Sequence, residues 1–241
     1  MQLHSSTMHA PLLLPVQTDH WRLSVSLAIS NQEVRVAQRL RYRVFAQENG
    51  ARLTNSAGAD AGLDIEYFDA FCEHLLVHAI STSGDEQGHL VGTCRVLSPA
   101  AAQRAGGYYS ETEFDLAPLQ SLRAHTAELG RCCVDPAWRS TGVIMALWNE
   151  LGLYMKTQSL QGLIGCASIS LADGGTTAGR VWQELQTTHL VEPPWRARPF
   201  IPWLPTTAGT LPDSVGACVT ESWPREFEQS DKWNCGLNRA S

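Results

Sequence analysis

Hydrophobic and polar residues alternate along the chain with two different periods, which predicts strands and helices in mixed order. Residues 21–29 alternate with a period of two and predict a first strand. A helix is expected over residues 32–47, because Ser30 or Asn31 can cap it and Glu33 lies in its first turn. The chain therefore opens on a strand followed by an amphipathic helix.

The same patterns predict four more strands and two more helices. The strands are expected over residues 73–80, 90–97, 127–134 and 163–171, and the helices over residues 142–156 and 176–187. The first two of these strands form a hairpin, and the strand–helix–strand succession at 127–171 is the natural crossover unit. This order predicts an α/β (α+β) fold with a mixed central sheet flanked by helices.

The ends of the chain lack this periodicity. Residues 1–20 are expected to be a loose tail, residues 21–205 one domain, and residues 206–241 an irregular C-terminal tail. With 241 residues, 44% of them hydrophobic, the chain can bury a substantial core. No apolar stretch approaches the ~20 residues that span a bilayer.

The charge and the cysteine content of the chain argue against a nucleic-acid-binding protein and against a zinc-binding protein. The formal net charge of −6 gives no sign of a nucleic-acid-binding domain, which usually carries a basic patch. The seven cysteines are odd in number and no CxxC spacing occurs, so they are expected to be reduced thiols of a cytosolic protein without a metal site.

The turn that follows the predicted strand 127–134 has the features of a phosphate-binding loop. Arg139 supplies positive charge, Gly142 allows close backbone approach, and Val143 opens a helix whose free N–H groups favour anions. An ordinary strand-to-helix turn with a surface arginine also fits this spacing.

Glu128 lies in the strand that enters this turn and is a candidate general base for an amine nucleophile. With a period of two, Glu128 and Gly130 share one face, while Arg131 points to the other unless a bulge intervenes at Gly130. A cross-strand ion pair is the alternative interpretation of Glu128 and Arg131.

Arg41 falls in the middle of the apolar face of the first helix. A buried guanidinium needs a carboxylate or a ligand anion, so Arg41 is expected to pair with an acid such as Asp64, Asp69 or Glu128. The acidic cluster over residues 64–69 is either a site for a cationic amino acid or a polar loop.

A separate row of arginines, Arg35, Arg39 and Arg43, lies on the outer side of the same helix. This row is either a solvated helix face or a surface on which an acidic partner docks. The sequence leaves both interpretations open.

Taken together, several segments resemble the ornithine lipid N-acyltransferases of the GNAT superfamily. They are residues 39–45, 73–77, 91–97, 106–116, 128–134, 147–148 and 165–168. The family is similar to acyl-homoserine lactone synthases and N-acyl amino acid synthases. The resemblance implies the GNAT fold and transfer of a 3-hydroxyacyl chain from acyl carrier protein to the α-amine of L-ornithine.

The resemblance also implies site residues. The implied catalytic residues are Glu128, Arg131, Asp64 and Arg41, and the substrate-binding residues are Phe45, Asp69 and Arg95. Glu66 or Asp69 can take the place of Asp64. The expected donor-binding residues are Cys133, Val134, Arg139, Gly142 and Val143, with a backbone N–H near Cys133 or Val134 polarising the thioester carbonyl.

The donor and partners follow from the same resemblance. Ile144 replaces the last small residue of the usual GNAT phosphate loop, which favours the single phosphate of a phosphopantetheine arm over coenzyme A. We expect no permanently bound cofactor, an acyl carrier protein and L-ornithine or a similar amino acid as partners, and no nucleic acid. The expected location is the cytoplasm, with peripheral contact at the inner membrane left open.

Two rival functions remain at this point. One is synthesis of an N-acyl amino acid or acyl-homoserine lactone. The other is an inactive fold that binds only acyl carrier protein or lipid, since residues 211–241 do not resemble the family.

Overall fold

The computed structural model describes residues 12–18, 20–53, 61–82, 88–203 and 237–238. Its strands are β1 (Leu12–Thr18), β2 (Trp21–Leu27), β3 (Glu73–Ser81), β4 (His89–Leu97), β5 (Phe114–Asp115), β6 (Thr126–Val134), β7 (Gly162–Gly165), β8 (Ala167–Ser168), β9 (Arg198–Pro199) and β10 (Leu237–Asn238). Its α-helices are α1 (Asn31–Arg41), α2 (Pro99–Ala105), α3 (Val143–Thr157) and α4 (Thr176–Thr188). None of these helices combines the length and apolar character needed to cross a bilayer.

A six-stranded mixed sheet forms the centre of the fold, in the order β1-β2-β3-β4-β6-β7. Neighbouring strands run antiparallel except β6 and β7, which run parallel. Helix α3 connects these two parallel strands, as the predicted crossover unit requires. The predicted fold class is confirmed.

Helix α1 begins where the sequence predicts a cap. The Ser30 side chain accepts from the backbone N–H of Glu33, and the Glu33 carboxylate accepts from the backbone N–H of Ser30. After Arg41 the helix continues as a π-helix over Tyr42–Glu48, a form that often marks functional sites. Gly50, with a φ of 69°, follows it.

The two faces of the sheet are covered by different elements. On one face, α3 buries Val143, Ala146, Leu147 and Leu151 against apolar residues of the strands. On the other face, α1 buries Leu40 beside Cys133 of β6. Each fully buried large aliphatic side chain stabilises the fold by about 1.5–3 kcal/mol. The candidate site lies on the α1 face.

Several sequence predictions need correction. The expected strand 163–171 is only β7 and the two-residue β8, separated at Cys166. Strand β1 lies within the expected N-terminal tail and pairs with β2. Helix α2 and the short 3₁₀ segments were not predicted, because one or two turns carry too few apolar positions to show a period.

The cysteines also differ from the expectation of free thiols. Cys94 on β4 and Cys132 on β6 are joined in a disulfide, while Cys72, Cys133 and Cys166 are free. The pair lies at the point where the register of these two strands is interrupted.

Candidate active site

Strand β6 contains a bulge between its two functional segments. Arg95 of β4 faces Gly130 and Thr93 faces Cys133, so one residue of β4 lies opposite two of β6. Arg131 has a φ of 52°, a left-handed conformation that non-glycine residues adopt infrequently. The bulge turns the Arg131 side chain to the α1 face, where it contacts the same acid, Glu66, as Arg95. The simple period-two placement of Arg131 is therefore wrong, and the bulge allowed for at Gly130 is present one residue later.

Glu128 is buried on this face and tightly held. One carboxylate oxygen accepts from the Ser110 backbone N–H at 2.7 Å and from the Ser110 hydroxyl at 2.5 Å. The other accepts from the Tyr109 backbone N–H at 2.7 Å. The Glu128 residue is only 4% exposed. This burial is the largest influence on its pKa and raises it, although the hydrogen bonds from Ser110 and Tyr109 oppose the change. A carboxylate with a raised pKa is a better proton acceptor than an ordinary glutamate.

Arg41 lies at the centre of a buried network of arginines and carboxylates. It donates to Asp64 Oδ2 at 2.9 Å and to the Asp64 backbone oxygen at 2.6 Å. It also donates to both carboxylate oxygens of Asp69, at 2.9 and 2.8 Å. Two of the three acids expected as partners, Asp64 and Asp69, thus pair with Arg41, and Glu128 binds Ser110 and Tyr109 instead.

Arg95 and Arg131 extend the network towards the bulge. Arg95 donates to Glu66 at 2.8 Å and to Asp69 at 3.0 Å, and Arg131 pairs with Glu66 on its other side. Three guanidinium groups therefore face three carboxylates, so the network is balanced in charge. Arg131, 26% exposed, retains the most accessible surface of these paired side chains.

The arginines set the ionisation of the acids. Burial alone would raise the pKa of Asp69, but the hydrogen bond and charge of Arg41 outweigh it and hold that pKa well below its usual range. The same balance lowers the pKa of Glu66, with Arg131 as the main opposing influence. Both acids are therefore ionised at neutral pH.

Two aromatic rings lie beneath the guanidinium groups. The Phe45 ring of the π-helix is 5.3 Å from Arg131, and the Phe68 ring is 5.8 Å from Arg95. These cation–π contacts fix the direction in which each arginine points. Phe45, a candidate from sequence, thus lies beside the most exposed arginine of the network.

The predicted phosphate loop lies at the far end of β6 and ends in helix α3. Gly142 precedes the helix with a φ of 83°, a conformation that favours glycine. Arg139 donates to both oxygens of Glu48 at 2.6 Å, so its charge is shared with an acid. Val143, the first residue of α3, is buried against the sheet, and only its backbone N–H can serve a ligand.

The expected donor groups Cys133 and Val134 differ in direction. The Asp135 N–H donates to Val91 of β4 at 2.8 Å. Because N–H groups alternate along a strand, the Cys133 N–H also points towards β4, whereas the Val134 N–H points away. The Val134 N–H therefore points to the side of β6 on which β7 has already ended, whereas the Cys133 N–H points to β4.

Glu128 and Val134 are too far apart to act on one carbonyl group. Five residues lie between them, and one residue of this stretch is the extra residue of the bulge, so the separation along the strand is about 16 Å. A thioester carbonyl polarised at Val134 cannot receive an amine deprotonated directly by Glu128. The N–H groups of the bulge are closer to Glu128, and the expected oxyanion role of Cys133 or Val134 stays a prediction that requires Glu128 to act through water.

The pairing of β6 with β7 stops beside the bulge, and we call the region where the two strands are no longer paired the gap. The parallel ladder ends at Leu129 and Gly165, and a Cβ on Gly165 would lie 2.7 Å from the Leu129 carbonyl oxygen. Just past this point, Cys166 Sγ lies 3.3 Å from the Ser110 hydroxyl that holds Glu128. The pairing of β6 with β7 thus ends next to the residues that hold Glu128.

Sequence reasoning missed Ser110, Tyr109 and Cys166 as neighbours of Glu128. Ser110 and Tyr109 lie in a short 3₁₀ segment (Tyr109–Thr112) without periodicity, which sequence patterns do not place. Tyr108 to Ser110 lie in residues 106–116, one of the segments that resemble the family, and this position was the one signal in the sequence that these residues belong to the site.

Comparison with known proteins gives the family context. Residues 40–149 match the acetyltransferase (GNAT) domain model. The chain is 38% identical over 148 residues to L-ornithine N(alpha)-acyltransferase of Rhizobium meliloti (strain 1021), covering 61% of this chain and 50% of the relative. It is 32% identical over 169 residues to the enzyme of the same name from Rhodobacter capsulatus, covering 68% and 62%.

The chain spans about half the length of the first of these curated relatives. Among solved structures, the acyl-homoserine lactone synthase LasI shares 16% identity with a TM-score of 0.42, covering 65% of this chain and 78% of that one. The matched region contains both the Arg41 network and the strand that carries Glu128.

Proposed function

Because the chain carries a GNAT domain and has homologues named L-ornithine N(alpha)-acyltransferase, we propose that it is an N-acyltransferase with the same reaction. It transfers a 3-hydroxyacyl chain from acyl carrier protein to the α-amine of L-ornithine, the first step towards an ornithine lipid. The observation that carries this proposal is the buried, hydrogen-bonded Glu128 beside the gap between β6 and β7.

The acyl-thioester arm lies in that gap, with its phosphate near the start of α3. The helix N-terminus and the Gly142 turn favour a single phosphate there. The Val134 N–H then binds an amide of the arm rather than the reacting carbonyl. The thioester carbonyl reaches the bulge, where Gly130 is about 7 Å along the strand from Glu128.

The chemical step is a direct attack of the amine on the thioester carbonyl. A new C–N bond forms, the C–S bond breaks, and the products are an amide and a free thiol. The amine loses one proton, which passes to Glu128 through water or the Ser110 hydroxyl, and the leaving thiolate takes up a proton. No acyl-enzyme is formed, because holding both reactants in one gap makes the attack effectively intramolecular.

The amino acid binds on the α1 face, next to the exposed edge of the network. Arg131 can pair with the α-carboxylate, because it is the most accessible of the three arginines. Phe45 packs against the same guanidinium and lies beside the proposed position of the amino acid. Arg41, Asp64, Asp69 and Arg95 position Arg131 through Glu66 and the shared acids, and their burial suits that role.

An enzyme that uses this donor and this acceptor works in the cytoplasm. Its product carries an apolar acyl chain, so the enzyme contacts the surface of the inner membrane when it releases the product. Related products remain outcomes of the test, because the same site can accept another amino acid or S-adenosylmethionine.

The test is an acyl-transfer assay with purified protein, 3-hydroxyacyl carrier protein and a panel of amines, with the amide detected by mass spectrometry. We expect product with L-ornithine and a loss of about 10²-fold or more in Glu128→Gln. Cys72→Ser, near the network but outside the gap, is the matched control and should stay active. No product with folded protein, or full activity of Glu128→Gln, would refute the proposal.

A further inference from the structure

A row of exposed arginines connects helix α1 with the turn before α3; we call it the arginine row (Arg35, Arg39, Arg43 and Arg139). The first three recur every four residues and so lie on one side of the helix. Arg43 donates to Asp135 at 3.1 Å and Arg139 to Glu48 at 2.6 Å. These two pairs tie the π-helix to the turn, so Arg139 lies near the end of the row that Arg43 forms.

The composition of this row is unfavourable for the helix itself. Like charges four residues apart destabilise a helix, and the row contains two such pairs, Arg35–Arg39 and Arg39–Arg43. Within the described part of the chain, no acid forms an ion pair with Arg35 or Arg39. A local excess of positive charge on a chain with a net charge of −6 points to an anionic partner.

Two exposed apolar side chains follow the turn that contains Arg139. Ile144 and Met145, in the first turn of α3, are 38% and 64% exposed. Protein interfaces typically combine an apolar centre with a charged rim. The neighbours of the arginines on α1 are polar, such as Gln32, so this helix does not present the apolar side that a helix lying in a bilayer needs.

The pairs Arg43–Asp135 and Arg139–Glu48 bring one end of the row to the turn before α3, the helix that connects β6 with β7. A prosthetic arm that enters past the start of α3 would leave its carrier protein on this side of the molecule. We propose that the arginine row, with Ile144 and Met145, docks the acidic surface of the acyl carrier protein that delivers the thioester. This inference rests on the proposed function and adds the surface that recognises the donor protein.

The test compares a protein-borne donor with a small one. The double variant Arg35→Glu/Arg39→Glu reverses two charges that contact neither the gap nor Glu128. Its matched control is Arg104→Glu/Arg180→Glu, which makes the same charge change on exposed positions of α2 and α4. Each protein is assayed with 3-hydroxyacyl carrier protein and with the same acyl group on pantetheine.

We expect the KM for acyl carrier protein to rise about tenfold or more in Arg35→Glu/Arg39→Glu, with unchanged kinetics for acyl-pantetheine. The control variant should match the wild type with both donors. The KM of the wild type for carrier protein should also rise with salt, more steeply than that of the row variant, because screening weakens exposed charge pairs.

Direct binding separates failure of the docking surface from failure of the proposed reaction. Holo acyl carrier protein is titrated against each variant, and the dissociation constant should rise about tenfold only in the row variant. Equal binding of carrier protein by wild type and row variant overturns the inference, even if acyl transfer is confirmed. An equal loss of activity with acyl carrier protein and with acyl-pantetheine in the row variant also overturns the inference. If the row variant loses only its binding to phosphatidylglycerol vesicles, the inference is overturned in favour of a membrane-binding surface.

Discussion

Replacing Arg41 by methionine tests whether the buried network stabilises the fold. The change keeps most of the side-chain volume and removes four hydrogen bonds, of 2.9 and 2.6 Å to Asp64 and 2.9 and 2.8 Å to Asp69. Both acids are left buried without their main partner. Removing one member of a buried ion pair costs about 3–5 kcal/mol, which lowers the Tm of a chain of this size by about 10 °C.

The cost should depend on pH in a defined direction. The pKa of Asp69 is depressed, so its pairing stabilises the fold above the unfolded pKa of about 3.9, and this contribution is lost as the pH falls through the folded value. In Arg41→Met, burial dominates and the pKa of Asp69 rises. The Asp69 carboxylate of the variant can then be neutralised by a proton, and the difference in stability between variant and wild type shrinks from pH 7 towards pH 4.

The measurement is urea unfolding followed by tryptophan fluorescence at pH 7 and pH 4.5. Arg39→Met, an exposed change on the same helix, is the control and should stay within about 0.5 kcal/mol of the wild type. A cost below about 1 kcal/mol for Arg41→Met at pH 7, or an equal cost at both pH values, contradicts the reasoning, since a buried charge pair requires about 3–5 kcal/mol.

Three further predictions concern the cap, the gap and the base. Ser30→Ala removes the side-chain acceptor of the α1 cap and should cost about 1 kcal/mol in urea unfolding. Gly165→Ala places a Cβ against the Leu129 carbonyl oxygen, so it should cost about 1–3 kcal/mol and lower acyl transfer, measured by unfolding and by the KM for the donor. Burial raises the pKa of Glu128. As the pH is lowered, kcat/KM of the wild type should therefore begin to fall at a pH above the usual pKa range of glutamate. A pH–rate profile of Glu128→Gln should lack that limb, and an identical profile rejects Glu128 as the base.

Most of the fold could be predicted from hydrophobic periodicity. The capped helix α1, the β3–β4 hairpin and the crossover through α3 all occur where the period of the sequence changes. Segments without a period were not predicted, among them the 3₁₀ turn that carries Tyr109 and Ser110. Their positions depend on long-range contacts such as Ser110 with Glu128, which local patterns do not contain.

The site was predictable only in part for the same reason. A charge in the apolar stripe of α1 implied that Arg41 needs an acid, and two of the three proposed acids do pair with it. Which strand residues face the site could not be predicted, because the bulge after Gly130 depends on how β4 and β6 are paired. The catalytic roles assigned to these residues remain predictions.

The extra residue in β6 divides the strand into two halves, and the side chains that face α1 have even numbers in the first half and odd numbers in the second. Before it, an even-numbered residue, Glu128, faces α1; after it, an odd-numbered residue, Cys133, packs there. Deleting Cys132 would bring both halves into phase, send Arg131 to the side of α3 and expose its partner Glu66. A single-codon deletion in this strand should therefore be far more harmful than most point substitutions, because it changes which face each following side chain occupies and also removes the disulfide between Cys132 and Cys94.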